Sequence, residues 1–519
     1  MEYTPIIGFD FGNYNCFASY IGHRPDIQAD GDRLGGMAIP LMQGAGIPSA
    51  FFYSEKRKDP SLPWCGEKTL STQATPVKNR VRLLKRHLGE SITLDDRTFS
   101  YDEMIVQVAQ HCLRKAYADL KMKEPKAQTN RITLSYPATY TCAQRQRLIE
   151  LMEQVTLESG EPVRVVGTIA EPAAAALDYL ADQAKTDAET TVLTYDFGGG
   201  TFDLALVCAY PKGRKNKRGN TYYYDIINTR GIGDLGGADF DAVLLDLAKR
   251  KAKEARCNLN RMELMRLESN IESYKMELSA YPSIEFDVLT DDGGVEYIEI
   301  RRTEFENAVR PLVQRTIDQT RTLLTDYPDG KPEYILLTGG ASRMPIIMEE
   351  MKKAFPEYAD KIIYYRPEEA ISFGAARFGT VEEEEDTGKV VVQQRTMYDL
   401  GDTCYDDDGS EMVEVFIPAG TELPCESEYH NFMTRGKTQK YVRFSVYEAK
   451  RADADCKNVN DDYTEIMRGE LDLGRECPFH TRVSSRFVVD KLGCLTVEAF
   501  ETEDPSVLLK KSVELKNLS

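Results

Sequence analysis

The chain contains little tryptophan and histidine and has no long hydrophobic run. Its 519 residues include one Trp and five His, and no apolar segment approaches the length of about 20 residues that a membrane-spanning helix needs. The opening segment MEYTPIIGFDFG lacks a basic region followed by an apolar core, so it does not resemble a secretory signal. These absences predict a cytoplasmic protein that does not insert into membranes.

Paired cysteines and an excess of positive charge are missing as well. The 11 cysteines occur singly, without a CxxC pair, so the spacing indicates neither a zinc knuckle nor a disulfide framework, and we expect reduced thiols. Lys and Arg number 65 against 84 Asp and Glu, which gives a formal net charge of -19. Such a charge repels nucleic acid and anionic membranes, so neither is an expected partner.

What the sequence does contain is the composition of a globular protein and an internal repeat. Hydrophobic residues make up 42% and charged residues 29% of a chain that is long enough for two or more domains. Residues 194–207, TYDFGGGTFDLALV, read as a strand, a glycine turn and a second strand. Residues 6–21, IIGFDFGNYNCFASYI, have the same layout, with Asp10 and Asp196 in matching places. The repeat predicts two large lobes.

Two helices are predicted after the second of these units. One has an apolar stripe at spacings of three and four, formed by Leu264, Leu267, Ile271, Tyr274 and Leu278. The other is expected to start at a capping box made by Thr303 and Glu306, with apolar residues continuing from Val309 to Ile317. Both helices should face a core.

The pattern of residues along the sequence changes toward the C-terminus. The acidic run EEEED at 382–386 predicts a solvated connector. The three valines at 390–392, beside it, are apolar enough to dock on the preceding part of the chain in some states and not in others. Beyond them, short alternating strands separated by turn residues predict an all-β module. In the strand at 441–447, Val442 and Phe444 alternate with polar residues, so one face is expected to be buried.

The glycine turns suggest a phosphate site. Gly198, Gly199 and Gly200 would let backbone N–H groups approach phosphate oxygens, because a residue without a Cβ leaves room for that approach. Asp10 and Asp196, at the strand ends beside the turns, are suited to hold a hydrated Mg2+. The alternative is a glycine-rich hairpin with solvated aspartates. The second copy of the motif favours the phosphate site.

Other phosphate-binding motifs do not fit. The chain has no GxxxxGK[ST], and its glycines precede a strand rather than a helix, which excludes a P-loop and a dinucleotide fingerprint. Two DFG triplets occur without an HRD or a VAIK segment, so the sequence is not that of a protein kinase.

Five segments spread over residues 6–379 carry a resemblance to a known family. They are GFDFGN (8–13), IAEPAAAALDYL (169–180), YDFGGGTFD (195–203), LLTGGASRMP (336–345) and RPEEAISFGAARFG (366–379). In order and spacing they resemble the ATPase signatures of the seventy-kilodalton heat-shock chaperone family, whose bacterial type is DnaK. More loosely, IPAGTELP (417–424) and FMTRGKTQKYVRFSV (432–446) resemble the peptide-binding domain of that family.

The resemblance implies a fold in three parts. Residues 1–381 would form an α/β actin-like (ribonuclease H-like, duplicated) ATPase domain with two lobes. Residues 382–395 would be an acidic and apolar linker, and residues 396–519 a C-terminal all-β sandwich that resembles a substrate-binding domain. Because the chain stops at Ser519, near the expected end of the sandwich, we expect no helical lid.

The resemblance also implies roles for individual residues. ATP or ADP and Mg2+ are the implied cofactors, with Asp10 and Asp196 on the magnesium waters and Asp203 beside a monovalent ion such as K+. The implied catalytic residues are Asp10, Lys85, Glu171, Asp196 and Thr201. The implied nucleotide contacts are Gly12, Asn13, Tyr14, Gly198, Gly199, Gly200, Thr201, Glu272, Lys275, Ser279, Gly339, Gly340, Ala341, Ser342 and Arg343.

Coupling and peptide binding are assigned in the same way. Pro137 and Arg145 match the pair that relays the nucleotide state between domains, and Arg435, Val442 and Phe444 match peptide contacts in the β module.

Taken without the family, several of these residues have plainer interpretations. Lys85 could belong to a solvated basic face, and Glu171 could be a favourable contact with a helix dipole. Glu272 and Lys275 could form an ordinary i,i+3 ion pair. Arg145 could be a surface arginine.

The sequence departs from the family at several places. Asn13 and Tyr14 replace two threonines of the first phosphate loop, and Ala238 replaces a glutamate, so turnover is expected to be slower or altered. Gly167 stands at the position of the arginine that binds J-domain partners, which argues against such a partner. The first pocket loop, YDDDGSE (405–411), is acidic where the family is apolar, which suggests a different ligand preference.

Two classes of function remain. The first is an ATP-dependent molecular chaperone of the heat-shock, stress-response type, in which ATP binding and hydrolysis control how a C-terminal β domain holds unfolded or extended polypeptide. A nucleotide-exchange factor would be a further partner. The second is an actin-like scaffold or a small-molecule kinase on the same ATPase fold, because a fold does not determine a function. The β module behind an apolar linker favours the first.

Overall fold

The computed structural model contains two groups of mixed α/β structure followed by a β-rich region. It describes residues 4–22, 36–44, 46–70, 79–182, 188–257, 259–289, 294–327, 331–382, 392–405, 408–434, 438–450 and 454–512. The strands and helices up to residue 182 are β1 (Ile7–Phe11), β2 (Asn15–Ile21), β3 (Ala38–Pro40), β4 (Ile47–Pro48), β5 (Phe51–Phe52), β6 (Trp64–Cys65), β7 (Arg80–Val81), β8 (Ser91–Leu94), β9 (Arg97–Ser100), α1 (Tyr101–Lys123), β10 (Arg131–Tyr136), α2 (Cys142–Glu153), β11 (Arg164–Ala170) and α3 (Glu171–Asp182).

The remaining elements fall into two further runs. Those of the second α/β group are β12 (Thr190–Phe197), β13 (Phe202–Lys215), β14 (Thr221–Ile232), α4 (Gly237–Glu254), α5 (Arg261–Ala280), β15 (Ser283–Leu289), β16 (Val295–Arg301), α6 (Arg302–Asp326), β17 (Tyr334–Thr338), α7 (Pro345–Ala354), β18 (Ile362–Tyr364) and α8 (Ala370–Glu382). Those of the β-rich region are β19 (Val392–Gln393), β20 (Leu400–Tyr405), β21 (Glu411–Ile417), β22 (Cys425–Glu426), β23 (His430–Met433), β24 (Thr438–Ala449), α9 (Val459–Asp462), β25 (Tyr463–Pro478), β26 (Arg482–Val489), β27 (Leu495–Glu501) and β28 (Asp504–Ser512).

Two sheets repeat the same arrangement of strands. The first has the order β11-β10-β1-β2-β3, and the second has the order β18-β17-β12-β13-β14. In each, the first three strands are parallel and the later ones antiparallel. Strands β1 and β12 are equivalent and almost entirely buried, as expected for strands with neighbours on both sides. The predicted repeat is therefore confirmed, with Asp10 and Asp196 on equivalent strands.

Helices α3 and α8 join the two sheets. Helix α8 packs on β1, β2 and β10, helix α3 packs on β12 and β13, and the two helices contact each other. Their backbones touch at Gly374, where an added Cβ would lie 1.8 Å from the carbonyl oxygen of Ala174. The alanine run 173–176 and Gly374 permit this approach because neither side presents a bulky side chain.

The two predicted helices are present, but one begins differently than expected. In α5, Leu267, Ile271 and Leu278 are buried, which confirms the apolar stripe. The capping box predicted at Thr303 and Glu306 is wrong. Strand β16 runs directly into α6, so Arg301 is the N-cap residue and its backbone N–H donates to Glu304 at 2.9 Å.

Apart from β19, which pairs with β14, the β-rich region consists of two sheets and one short helix, α9. One sheet has the order β21-β20-β24-β25, and the other has β22-β26-β27-β28 with β23 on β26. Phe416, Val446 and Phe487 are among the buried residues of its main core, and the two sheets contact each other through β25 and β27. Phe444 and Val446 are buried while Arg443 is exposed, which confirms the predicted alternation in β24.

Two further features of the fold are the state of its cysteines and the apolarity of its helices. All 11 cysteines are free thiols. Among the described residues, no helix is long and apolar enough to cross a membrane.

Candidate functional site

Lys85 and Glu171 form a buried ion pair at the centre of the candidate site. Lys85 lies on a 3-10 turn, Leu84–His87, and its Nζ contacts Oε1 of Glu171, the first residue of α3. Lys85 is only 2% exposed, so the interpretation as part of a solvated basic face is wrong for this residue. Glu171 is also more than a contact with a helix dipole. The Tyr140 hydroxyl donates to the Lys85 carbonyl at 2.8 Å and holds the turn in place.

Each of the two repeated aspartates accepts a hydrogen bond from the neighbouring parallel strand. Ser135 on β10 donates to Asp10 at 2.8 Å, and Thr338 on β17 donates to Asp196 at 3.1 Å. Asp203 on β13 is paired in register with Asp196. Asp10 and Asp196 are only 5% and 3% exposed, so the alternative of a hairpin with solvated aspartates is wrong. Both are buried because β1 and β12 each have a neighbouring strand on both sides, one parallel and one antiparallel.

The carboxylates of this cluster raise one another's pKa. Burial and the charge of Glu171 raise the pKa of Asp10 and of Asp203 to about 7, and burial together with Glu171 also raises the pKa of Asp196. Burial disfavours the Lys85 ammonium, but Glu171 and Asp10 outweigh it and hold its pKa above the ordinary value. One ammonium thus stands among four carboxyl groups.

Because the four carboxyl groups outnumber the single ammonium, the cluster is suited to bind a cation. Both carboxylate oxygens of Asp203 are buried without a hydrogen-bond partner of good geometry in the described chain. No three His, Cys, Asp or Glu side chains of the described residues converge to ligate a metal directly. Mg2+ commonly keeps several waters and binds through few protein carboxylates, so the donors present suit a hydrated Mg2+.

The second glycine turn lies against the first. The Gly198 N–H donates to the Thr201 carbonyl at 3.0 Å, which closes the turn, and Thr201 is buried. Arg86 Nε donates to the Gly200 carbonyl at 2.6 Å. The turn after β1, which contains Gly12, Asn13 and Tyr14, contacts Gly199 and Gly200 directly. The structure therefore brings the two predicted phosphate turns together.

The residues implied for adenosine lie on α5, next to these turns. Lys275 Nζ pairs with Asp241 at 2.8 Å and donates to the Gly237 carbonyl at 2.9 Å, while Glu272 pairs with Arg82 at 2.5 Å. The interpretation of Glu272 and Lys275 as an i,i+3 pair is wrong, because each has a partner on another element. The Ser279 hydroxyl donates to the Lys275 carbonyl at 3.2 Å.

A third turn follows β17 and carries the remaining implied contacts. Gly340–Arg343 is a 3-10 turn in which the Ser342 hydroxyl donates to the Gly339 carbonyl at 2.6 Å. Ala341 is buried, and Arg343 pairs with Glu368 at 3.2 Å. Gly339 lies against the backbone of Phe197 and the Asp196 carboxylate, so this turn adjoins the carboxylate cluster.

Helix α2 connects the site with the β-rich region. The Pro137 carbonyl accepts from the Tyr140 N–H at 3.0 Å, and Tyr140 in turn contacts the turn of Lys85. Arg145 donates to the Gly493 carbonyl at 2.8 Å and to the Tyr136 hydroxyl at 2.9 Å. Arg145 is therefore not an isolated surface arginine.

The first strand of the β-rich region is attached to the second repeated sheet. Strand β19 pairs in parallel with β14, with Val392 opposite Tyr224. Arg395 makes two contacts of 3.0 Å with the Asp225 carboxylate. Asn216 Nδ2 donates to Oε1 of Gln393 at 3.0 Å. Val390 and Val391, for which docking was expected, lie outside the described residues.

The β-rich region has a groove of about 1070 Å³. Val442 and Phe444 line it, together with Phe432 and Leu471. The predicted contact Arg435 and two residues of the acidic loop, Asp406 and Asp407, lie outside the described residues. The structure thus places Val442 and Phe444 in the lining of one groove.

Several residues of these sites were not identified from the sequence. They are Ser135, Thr338, Arg86, Asp241 and Glu448. The repeat could have indicated Ser135 and Thr338, because both lie within the last two residues of strands that adjoin the aspartate strands. No sequence pattern indicates Glu448, since its partner Cys142 lies 306 residues away in the chain.

Together these observations define an α/β protein with a duplicated sheet, a site suited to phosphate and a cation, and an attached β module. Comparison with family models is more specific: the model described as Hsp70 protein matches residues 47–512. The chain belongs to the Hsp70 family, whose members are ATP-dependent chaperones. The match begins after the first phosphate turn.

Proposed function

We propose that the protein hydrolyses ATP to ADP with Mg2+ and uses this reaction to control polypeptide binding by its β module. The observation that carries the proposal is the buried Lys85–Glu171 pair, which lies among Asp10, Asp196 and Asp203. Such a fixed ammonium is suited to stabilise the negative charge that develops when a terminal phosphate is transferred to water.

The roles of the other residues follow from their positions. Asp10 and Asp196 would hold the waters of a bound Mg2+, which would offset phosphate charge. Glu171, oriented by Lys85, would accept a hydrogen bond from the attacking water. Thr201 would hold the second glycine turn, and Asp203 would face a monovalent cation such as K+. Direct hydrogen-bonded partners, rather than solvent, fix each of these carboxylates except Asp203.

Two elements would flank the adenosine. Glu272, Lys275 and Ser279 present one side from α5, and the turn Gly339–Arg343 presents the other. The glycine turns supply backbone N–H groups for the phosphates between them.

We also propose how the parts of the chain work together. Residues 1–381 form the ATPase domain, 382–395 the linker, and 396–519 the β domain that holds unfolded or extended segments. Support comes from the pairing of Val392 with β14 and from the contacts of Arg145, which join the β domain to helix α2. Such contacts are what a nucleotide-controlled β domain needs, whereas a scaffold or a small-molecule kinase does not need them.

Partners and location complete the proposal. Extended polypeptide is the ligand, and a nucleotide-exchange factor would act on the ATPase domain in the cytoplasm. Gly167 lies on buried strand β11, where an added Cβ would be 3.1 Å from the Phe378 ring. This position therefore offers no arginine that could reach a J-domain partner.

Calorimetric titration with ADP tests the nucleotide site. Binding should be tighter with Mg2+ than with EDTA, and Asp10→Asn or Asp196→Asn should remove most of the difference. Asp318→Asn, an exposed site on α6, is the matched control. A metal effect that survives both cluster substitutions would contradict the assignment of the magnesium site.

A further inference from the structure

The first phosphate turn covers the second one. An added Cβ on Gly199 would lie 2.2 Å from the Tyr14 ring, and one on Gly200 would lie 2.3 Å from the Asn13 amide. The missing side chains of these two glycines therefore make room for Tyr14 and Asn13. The same space is where phosphate oxygens would approach the backbone N–H groups.

Tyr14 also engages the groups that the adenosine helix presents. Its hydroxyl donates to Asp241 at 2.8 Å, and the other oxygen of Asp241 pairs with Lys275 at 2.8 Å. Burial and the Asp241 charge raise the pKa of Tyr14, so the phenol stays protonated and keeps donating. The Arg82 guanidinium lies 4.9 Å from the centre of the ring and pairs with Glu272.

These contacts join elements of the two repeated halves of the structure. Tyr14 follows β1 of the first sheet, whereas Gly199 follows β12 of the second, and Asp241 and Lys275 lie on α4 and α5. A nucleotide that used Gly199, Gly200 and Lys275 would meet the side chains of Asn13 and Tyr14 in its path.

The Asn13 side chain packs against Gly200, and among the described residues no hydrogen bond to its amide oxygen fixes it there. Its amide oxygen is buried without a hydrogen-bond partner in the described residues. Loss of the Asn13 contact would therefore break no hydrogen bond to that oxygen. The Tyr14 hydroxyl makes one hydrogen bond, to the Asp241 carboxylate, so a single hydrogen bond of this side chain opposes withdrawal.

We propose that Asn13 and Tyr14 form an internal gate, which competes with nucleotide for the second phosphate turn and for Lys275. The proposal rests on the proposed nucleotide site. Nucleotide enters only when the first turn withdraws, and the hydrogen bond from Tyr14 to Asp241 sets how often it does. Nucleotide affinity is lowered by the fraction of molecules in which the gate is open.

Stopped-flow binding of ADP carrying an N-methylanthraniloyl fluorophore, with excess Mg2+, tests the gate. Tyr14→Thr shortens the side chain so that it no longer reaches Asp241. If the open form is populated at about 1 to 10%, this substitution should raise the association rate and tighten binding about 10- to 100-fold. Tyr14→Phe keeps the ring over Gly199 and loses the hydrogen bond, so it should tighten ADP binding less than Tyr14→Thr does. Asn13→Thr should also tighten ADP binding.

Tyr53→Phe is the matched control, because the Tyr53 hydroxyl donates to Asp96 and not to a residue of the proposed nucleotide site. Loss of this hydrogen bond should leave ADP binding unchanged. Circular dichroism melting verifies that each variant is folded. Unchanged or weaker binding by folded Tyr14→Thr, while the parent protein binds, would overturn the gate and leave the proposed function standing. Binding by neither protein would overturn both.

Discussion

The Glu448 carboxylate of the β domain accepts a hydrogen bond from the backbone N–H of Cys142, the first residue of α2, at 3.0 Å. The N-terminus of a helix favours negative charge, and Arg145 on the same helix adds a nearby cation. Both Glu448 and Cys142 are buried, so this contact belongs to the interior of the domain interface. It ties the helix that reaches Lys85 through Tyr140 to strand β24 of the β domain.

Docking of the β domain should depend on pH through Glu448. Burial raises the pKa of Glu448 from 4.5 to about 7, although the Cys142 N–H and Arg145 oppose the shift. Because the docked form holds a proton that an undocked, exposed Glu448 releases, docking should weaken as pH rises from about 5 to about 7 and level off above. Tyr398 also faces this carboxyl but stays neutral over the range, since burial raises its pKa to about 12.

The docking equilibrium can be followed by fluorescence transfer between dyes on the two domains. Glu448→Gln removes the titrating group and should flatten the pH profile, whereas Glu411→Gln, exposed on β21, should leave it unchanged. A profile that keeps its slope in Glu448→Gln would assign the pH dependence to other groups.

Lys85→Met should lower turnover by about a hundredfold or more, because it removes the fixed positive charge at the reacting phosphate. It should also lower the free energy of unfolding by about 3 to 5 kcal/mol, since Glu171 then remains buried without its partner. Single-turnover hydrolysis and urea denaturation measure the two effects. Lys251→Met, which breaks a surface pair with Glu304, should change neither by much. Near-parental hydrolysis by folded Lys85→Met would remove Lys85 from the mechanism.

Val392→Asp should release the linker from the second repeated sheet. Val392 is buried beside β14, so the change loses about 1 kcal/mol or more of apolar burial and places a charge against an apolar surface. Protease cleavage near residues 382–395 should become equally fast with ATP, with ADP and without nucleotide. Val295→Asp, at a half-exposed position on β16, is the control. If cleavage in the parent protein is already independent of nucleotide, the linker does not report the nucleotide state.

The β groove should prefer cationic or mixed segments over purely apolar ones. Val442 and Phe444 supply an apolar surface, and Glu414 and Glu470 are among the acidic residues that line the groove. Lys440 and Arg443 line it as well, so the preference should be graded rather than absolute. Peptide binding measured by fluorescence at low and high salt tests this. Best binding by an uncharged leucine-rich peptide, with no effect of salt, would rule out a role for charge.

The part of the site that repeats in the sequence could be predicted from it. Asp10 and Asp196 were identified because each ends a buried strand before a glycine turn, and the structure places them on equivalent strands. Lys85 was singled out only by its resemblance to the family, since its local sequence is that of a basic surface. Its burial depends on Glu171, which is 86 residues away.

Contacts between distant elements could not be predicted. Nothing near Tyr14 indicates that its hydroxyl reaches Asp241, 227 residues further on. The start of α6 was misplaced because Thr303 and Glu306 satisfy the local pattern, while strand β16 leaves no room for a cap there. Glu448 reads as a polar strand residue, and only the docking of α2 gives it a partner.

The central claim is that hydrolysis of ATP and binding of polypeptide are coupled within this chain. Steady-state phosphate release, with and without a reduced and alkylated globular protein that cannot fold, tests it most directly. We predict Mg2+-dependent hydrolysis that rises with the unfolded protein in the parent and not in Val392→Asp. Hydrolysis that is unaffected by unfolded protein, or phosphate transferred to a sugar instead of water, would contradict the account.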